Sequence, residues 1–268
     1  MRTLTELESL LSVSGDVLDR TMPGAFVDYN SVSKKSSKVD LASSIGFIRK
    51  TKERSPEKAV YEFFALTIWN RLLEAYSAIN NFRFRAPHPH SIQYLNDNEN
   101  SLIMEYLNGY ELQKLSNLKR TTPVEINGQI EPLPVYPACA LHLGALNRIK
   151  EVEGLFHADY DSRHIIFSPI QNVSICVVDV ENSRLGERDA VLRESSKIMA
   201  SFEPTILSER DRQVLKTWHE IGYMGLTIPA RAPLIPSLVR ALEQEYDFHF
   251  DFKDRVINGY QIHYTKSS

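Results

Sequence analysis

The stretch Leu155-Phe-His-Ala-Asp-Tyr-Asp-Ser-Arg-His-Ile-Ile-Phe167, read with the later Val177-Val-Asp-Val-Glu181, decides the fold. The first segment starts apolar, turns polar around His157-x-Asp159 and returns to an apolar, β-branched run. The second closes an apolar run over 173–178, with Ser174 inside it, on the carboxylate of Asp179. Short apolar, β-branched runs bounded by polar turns read as strands. Two such strands that each deliver an acid to the same end make a place for metal-bound phosphate. One acid then lies near an attacking hydroxyl and the other holds Mg²⁺.

Working outward, residues 137–150 carry a helical pattern (Ala140, Leu141, Leu143, Ala145, Leu146, Ile149) that leads into the acid-bearing loop. Further helices are expected at 187–202, 208–221 and 235–246, and a terminal hairpin from 248–252 and 260–264. Everything after Gly109 reads as helices and long loops. On the other side, 3–20 has apolar residues near helical spacing, and Met22-Pro-Gly24 ends it. Strands are expected at 25–29, 39–42, 45–48, 91–95 and 101–106. Ser55-Pro56-Glu57 announces a helix over 57–79, with a capping serine, proline in the first turn and an acid behind it. Strands with one helix among them, then mostly helices, give an α+β fold of two lobes. The expected division is 1–106 and 107–268, with a small antiparallel sheet in the first lobe and a mainly helical second lobe.

Composition narrows the function classes. The 268 residues suffice for two lobes with a substantial core. A net charge of −3 supplies no positive field, so nucleic acid is not an expected partner. No apolar run approaches the ~20 residues of a membrane span, and the N-terminal stretch lacks the pattern of a signal peptide. Cys139 and Cys176 both lie in apolar runs and read as buried, reduced thiols. Together these point to the cytoplasm.

The order of elements and the motifs resemble the protein-kinase-like fold. The pattern is most similar to the aminoglycoside and choline kinase-like branch, whose loop reads His-Gly-Asp-x-x-x-x-Asn and whose metal acid sits in Asp-x-Glu. Here the loop is His157-Ala-Asp159 with His164 at the place of the Asn, and the second motif is Asp179-Val-Glu181. Ser101-Leu-Ile-Met-Glu-Tyr-Leu-Asn-Gly109 resembles the hinge of that family, and Gly46-Phe-Ile-Arg49 matches its Val-Ala-Ile-Lys. The likeness runs over about 25–200. The glycine-rich phosphate loop has no counterpart, since no glycine lies between Tyr29 and Gly46.

What the resemblance implies is an ATP-dependent phosphotransferase, acting on a hydroxyl of a small molecule or protein, with ATP and Mg²⁺ as cofactors. Asp159 would align the acceptor hydroxyl. Asp179 would hold the metal, with His164 at the second ligand position. Arg49, or Lys50 one residue on, would pair with Glu62 and anchor the phosphates. Met104 would line the adenine pocket, and the backbone from Glu105 to Leu107 would bond the base. Asp159 and Asp179 would lie within roughly 10 Å, the span of one bridged metal–phosphate group. His164 and Asp161 depart from the family pattern. They keep open the alternative of a pseudokinase, a nucleotide-binding or protein-interaction module with a partner protein.

Overall fold

A computed structural model of the chain describes residues 27–28, 37–42, 47–53, 57–96, 99–107, 110–111, 121–126, 129–168, 174–202, 208–246 and 248–258. The helix expected at 3–20 and the strand expected at 260–264 lie outside the described residues. The strands that open the chain are β1 (Val27–Asp28), β2 (Ser37–Ala42) and β3 (Phe47–Glu53), followed by helix α1 (Glu57–Ala78). Next come β4 (Phe84–Arg85), β5 (Pro89–Asn96), β6 (Glu99–Glu105) and β7 (Tyr110–Glu111). A hairpin of β8 (Thr121–Ile126) and β9 (Gln129–Pro134) leads into α2 (Val135–Glu153). Then follow β10 (Leu155–Phe156), β11 (Ile165–Ser168), β12 (Ser174–Val177) and β13 (Arg184–Leu185). The chain continues through α3 (Arg188–Phe202), α4 (Glu209–Gly225), α5 (Ile235–Tyr246), β14 (His249–Asp251) and β15 (Val256–Asn258). The class is α+β, as the order of periodicities predicts.

Two compact units form. The first gathers Met1–Ile68, His88–Tyr106 and Pro236–Ser268. Its sheet has the order β1-β2-β3-β6-β5, antiparallel throughout. The two strands most needed for the sequence argument, β3 and β6, are direct neighbours, with Lys50 opposite Leu102 and Thr51 opposite Ser101. The hydroxyls of that last pair meet at 2.8 Å, a cross-strand bond that fixes the register.

The C-terminal segment from Pro236 clusters with the first unit. The reason is aromatic. Phe64 of α1 packs on Tyr246, Phe248 and Phe250, with the Phe248 ring at 4.4 Å, and Tyr61 packs on Phe250 and Phe252. Each such ring pair contributes about 0.5–1.5 kcal/mol beyond its buried area. The partner of β14 is β15, nearer in sequence than the expected 260–264.

The second unit gathers Trp69–Pro87 and Leu107–Ile235. Its centre is α2 packed on α4. A Cβ on Gly144 would sit 1.9 Å from the His219 carbonyl oxygen, and one on Gly222 would sit 1.8 Å from that of Leu141. Only hydrogen fits at either crossing point, so the two glycines set the approach of the helices. A four-stranded sheet of order β4-β12-β11-β7 and the small pair β10-β13 complete the frame of the loops that carry the acids. The β8–β9 hairpin corrects the expectation of helices and long loops after Gly109. Asn127-Gly128, between its strands, is a strong short-range hairpin signal in the sequence. Among the described residues no helix is long and apolar enough to cross a membrane.

Candidate functional site

The acids of the second unit are brought together by the β11–β12 hairpin. Ile165 lies opposite Val177, so the end of the 157–164 loop and the residues just after β12 run side by side. Two bonds join them: the Val178 amide donates to His164 O at 3.0 Å, and His157 Nε2 donates to Val178 O at 3.0 Å. Ala158 and Asp179 both take left-handed backbone conformations, φ 68° and 58°. Non-glycine residues are uncommon there, and such strain concentrates at functional turns.

Asp159, His164 and Asp179 converge. One ligand atom from each lies within 4.8 Å of the others. The Nδ1–H of His164 donates to the backbone carbonyl of Asp159 at 2.7 Å. Its Nε2 lies 3.3 Å from the Asp179 carboxylate. With Nδ1 carrying the proton, the neutral ring presents a lone pair at Nε2. The His164 side chain is 9% exposed and that of Asp159 46%, so a buried nitrogen is joined to a carboxylate that solutes can reach. Glu181, two residues after Asp179, lies half-buried in the 3₁₀ turn Val180–Asn182.

The loop rests on a buried set of groups that the sequence reading did not single out. Lys150 Nζ lies 2.6 Å from Glu194 Oε2, and the same oxygen accepts from the His157 amide at 3.0 Å. Lys150 also sits 3.2 Å above the Tyr160 ring, whose hydroxyl donates to Asn147 Oδ1 at 3.1 Å. Burial lowers the Lys150 ammonium to about 8, with Glu194 working against the shift. Burial likewise drives His157 down to about 3, so its ring is neutral and serves to hold Val178. Nothing in the sequence marks Glu194, one of two acids on an amphipathic helix. Lys150 is visible only as the last residue of the α2 periodicity.

Asp161 does not stand as a bare charge beside this cluster. Arg163 donates to it through Nε at 3.0 Å and Nη2 at 3.1 Å, and these bonds hold its carboxyl below the usual range. A cavity of about 330 Å³ opens beside Asp159, with Arg193, Glu194 and Lys197 of α3 on its wall.

In the first unit Glu62, fully buried, is met by Lys50 Nζ at 3.0 Å and by Lys52 Nζ at 3.5 Å. These two residues lie on one face of β3, and strand alternation sets Arg49 on the other. The cation on Glu62 is therefore Lys50, joined by Lys52, where Arg49 was the first expectation. Met104 is buried at the end of β6, and Leu107 is buried too. The Glu105 amide is engaged by His88 O at 2.9 Å, and the Glu105 carboxylate accepts from the His88 amide. That amide is thus engaged within the fold, and the backbone expected to bond the base is that from the Glu105 carbonyl to Leu107.

No family model and no curated protein matches the chain. Among solved structures the chain is similar to WaaP in complex with acyl carrier protein, at 14% identity over 85% of this chain and 94% of that one, with a TM-score of 0.41. It is similar to the GDP complex of wild-type aminoglycoside 2'-phosphotransferase-IIIa, at 11% identity over 87% and 97% of the two chains, TM-score 0.40. A third is the GDP and kanamycin complex of APH(2")-IIia, at 12% identity over 87% and 98%, TM-score 0.40.

Proposed function

We propose that the chain is a divalent-metal-dependent phosphotransferase that moves the γ-phosphate of ATP to a hydroxyl. The observation that carries the reading is the Asp159–His164–Asp179 cluster. It joins an exposed carboxylate, a tautomer-locked imidazole and a second carboxylate within 4.8 Å.

Asp159 accepts a hydrogen bond from the acceptor hydroxyl and aligns its oxygen with the γ-phosphorus. As the new O–P bond forms, the β–γ bridging P–O bond breaks and ADP leaves. The hydroxyl proton passes to Asp159 and then to solvent. Lys50, held by Glu62, meets the phosphate oxygens, with Lys52 beside it. Asp179, His164 and Asp159 fit a divalent ion as two carboxylate oxygens and one nitrogen, and such an ion, when bound, neutralises phosphate charge. Mg²⁺ is the ion the resemblance implies. The acceptor hydroxyl enters by the cavity beside Asp159, whose wall carries Arg193 and Lys197 as well as the acids Asp161 and Glu194.

A second reading, a nucleotide-binding or interaction module without turnover, is favoured by the same His164. A protonated imidazole 3.3 Å from Asp179 would satisfy that carboxylate with no metal. The two are separated by thermal shift with ATP, with and without divalent ion, together with ADP formation across hydroxylated acceptors and the protein itself. The phosphotransferase reading expects metal-dependent stabilisation by ATP that Asp179→Ala abolishes. ATP binding that ignores metal, with no ADP formed on any acceptor, sinks it in favour of the second.

A further inference from the structure

We infer that the Asp159–His164–Asp179 site selects Mn²⁺ over Mg²⁺. The inference rests on reading the cluster as a metal site and deepens that reading. His164 brings a nitrogen donor where the resembled loop carries an amide oxygen. Its geometry is that of a prepared ligand. Nδ1–H is tied to the Asp159 carbonyl at 2.7 Å, which fixes both the tautomer and the ring plane. A metal-binding histidine characteristically gives its other N–H to a carbonyl or carboxylate in this way. The ring is buried, 9% exposed, and lies nearly parallel to that of buried His157, 6.1 Å between centroids and 20° between planes, so its orientation rests on the Nδ1–H bond. Nε2 therefore stays aimed at Asp179.

An oxygen-only set of donors suits Mg²⁺, a hard ion that demands near-ideal octahedral geometry and gives up water reluctantly. Exchanging one oxygen for an imidazole nitrogen weakens that ion's hold. Mn²⁺ keeps the octahedral preference needed for two carboxylates and phosphate oxygens. It too favours oxygen donors and is the weakest binder of the first-row divalent series, but as a larger and softer ion than Mg²⁺ it accepts one imidazole nitrogen at less cost. Zn²⁺ binds imidazole more tightly still, but its structural preference is four-coordinate, which leaves fewer positions for phosphate oxygens.

The test is metal binding to the free protein, read without turnover. Mn²⁺ is titrated by the loss of its aqueous electron paramagnetic resonance signal, with Mg²⁺ as competitor. Electron spin-echo modulation then asks whether a ¹⁴N nucleus is directly coordinated. Wild type should hold one Mn²⁺ at least about tenfold more tightly than Mg²⁺, with ¹⁴N modulation. His164→Asn should lose the modulation and bring the preference down about tenfold or more. Should that variant fail to fold, the wild-type ¹⁴N signal alone decides. Mn²⁺ bound without nitrogen coupling, a preference unchanged by His164→Asn, or no Mn²⁺ bound at all overturns the inference. ADP formation measured with each ion keeps the two readings apart. Selective Mn²⁺ binding without transfer sinks the phosphotransferase and leaves the site. Transfer that is equal with both ions, and without nitrogen coupling, does the reverse.

Discussion

Glu62 in the first unit and Glu194 in the second are both buried acids facing a lysine, and they hold different things. Glu62 stands between two side-chain cations, Lys50 and Lys52, on one face of β3. Glu194 shares a single oxygen between the Lys150 ammonium and a backbone amide, that of His157 at the start of the acid-bearing loop. The first acid holds two long, buried side chains in place. The second fixes main chain, and the loop that follows inherits its position. A buried ion pair is weak evidence for stability by itself. What distinguishes the two is the group each would release if it were removed.

The sharpest way to break this comparison is Glu194→Ala. It strands the Lys150 charge and the His157 amide together, so a loss of about 3–5 kcal/mol in urea unfolding is expected. A loss below about 1 kcal/mol would mean that Glu194 is an ordinary surface acid. Asp159→Asn should lower transfer by about two orders of magnitude, as expected for a lost positioned base. Metal-dependent ATP stabilisation, read by thermal shift, should be weakened but not abolished, since Asp179 and His164 still offer ligands. A variant that abolishes both would show Asp159 acting through the metal or the fold rather than as a base.

Glu62→Gln should act on the other side of the comparison. It frees Lys50 and Lys52 from their shared acid and weakens ATP binding by about tenfold, near the value of one charge-assisted hydrogen bond. Turnover at saturating ATP should change less, which steady-state kinetics against ATP would read. If kcat falls while KM holds, the cluster positions something other than phosphate.

Lys150 offers a pH test. Its folded-state value is about 8, against 10.5 for the free side chain. Between those limits the unfolded chain carries a proton that the folded chain lacks. Stability should therefore gain a rising contribution as pH climbs through that window, and none below it. The rise should be missing in Lys150→Met, as measured by chemical unfolding from pH 7 to 10.5. The smallest effect is expected at Ala158, left-handed at φ 68°. Ala158→Gly relieves strain of about 1 kcal/mol and returns part of it as backbone entropy, so a gain of a few tenths in urea unfolding is expected.

The α+β class and the helices near 57–78, 135–153, 188–202, 209–225 and 235–246 were legible because periodicity and capping are local properties. Asp159 and Asp179 were legible for a related reason. Each ends a short apolar run, and a hairpin between such runs leaves their flanking residues adjacent. The β8–β9 hairpin has its one local signal in Asn127-Gly128, which a reading by apolar periodicity passes over.

The sequence alone thus determined the main helices, the strands around the two acids and the type of acid at each strand end, since each follows from a few neighbouring residues. It left the choice between Arg49 and Lys50 open, because one residue of register inverts the face of a strand. Only tertiary structure decided that Lys50 and Lys52 meet Glu62, and that the aromatic tail joins the first unit. It also decided that one oxygen of Glu194 serves both Lys150 and the His157 amide. These are long-range meetings of groups with no local signal of their own. Burial gives them their meaning, by raising the cost of any charge or amide left without a counterpart.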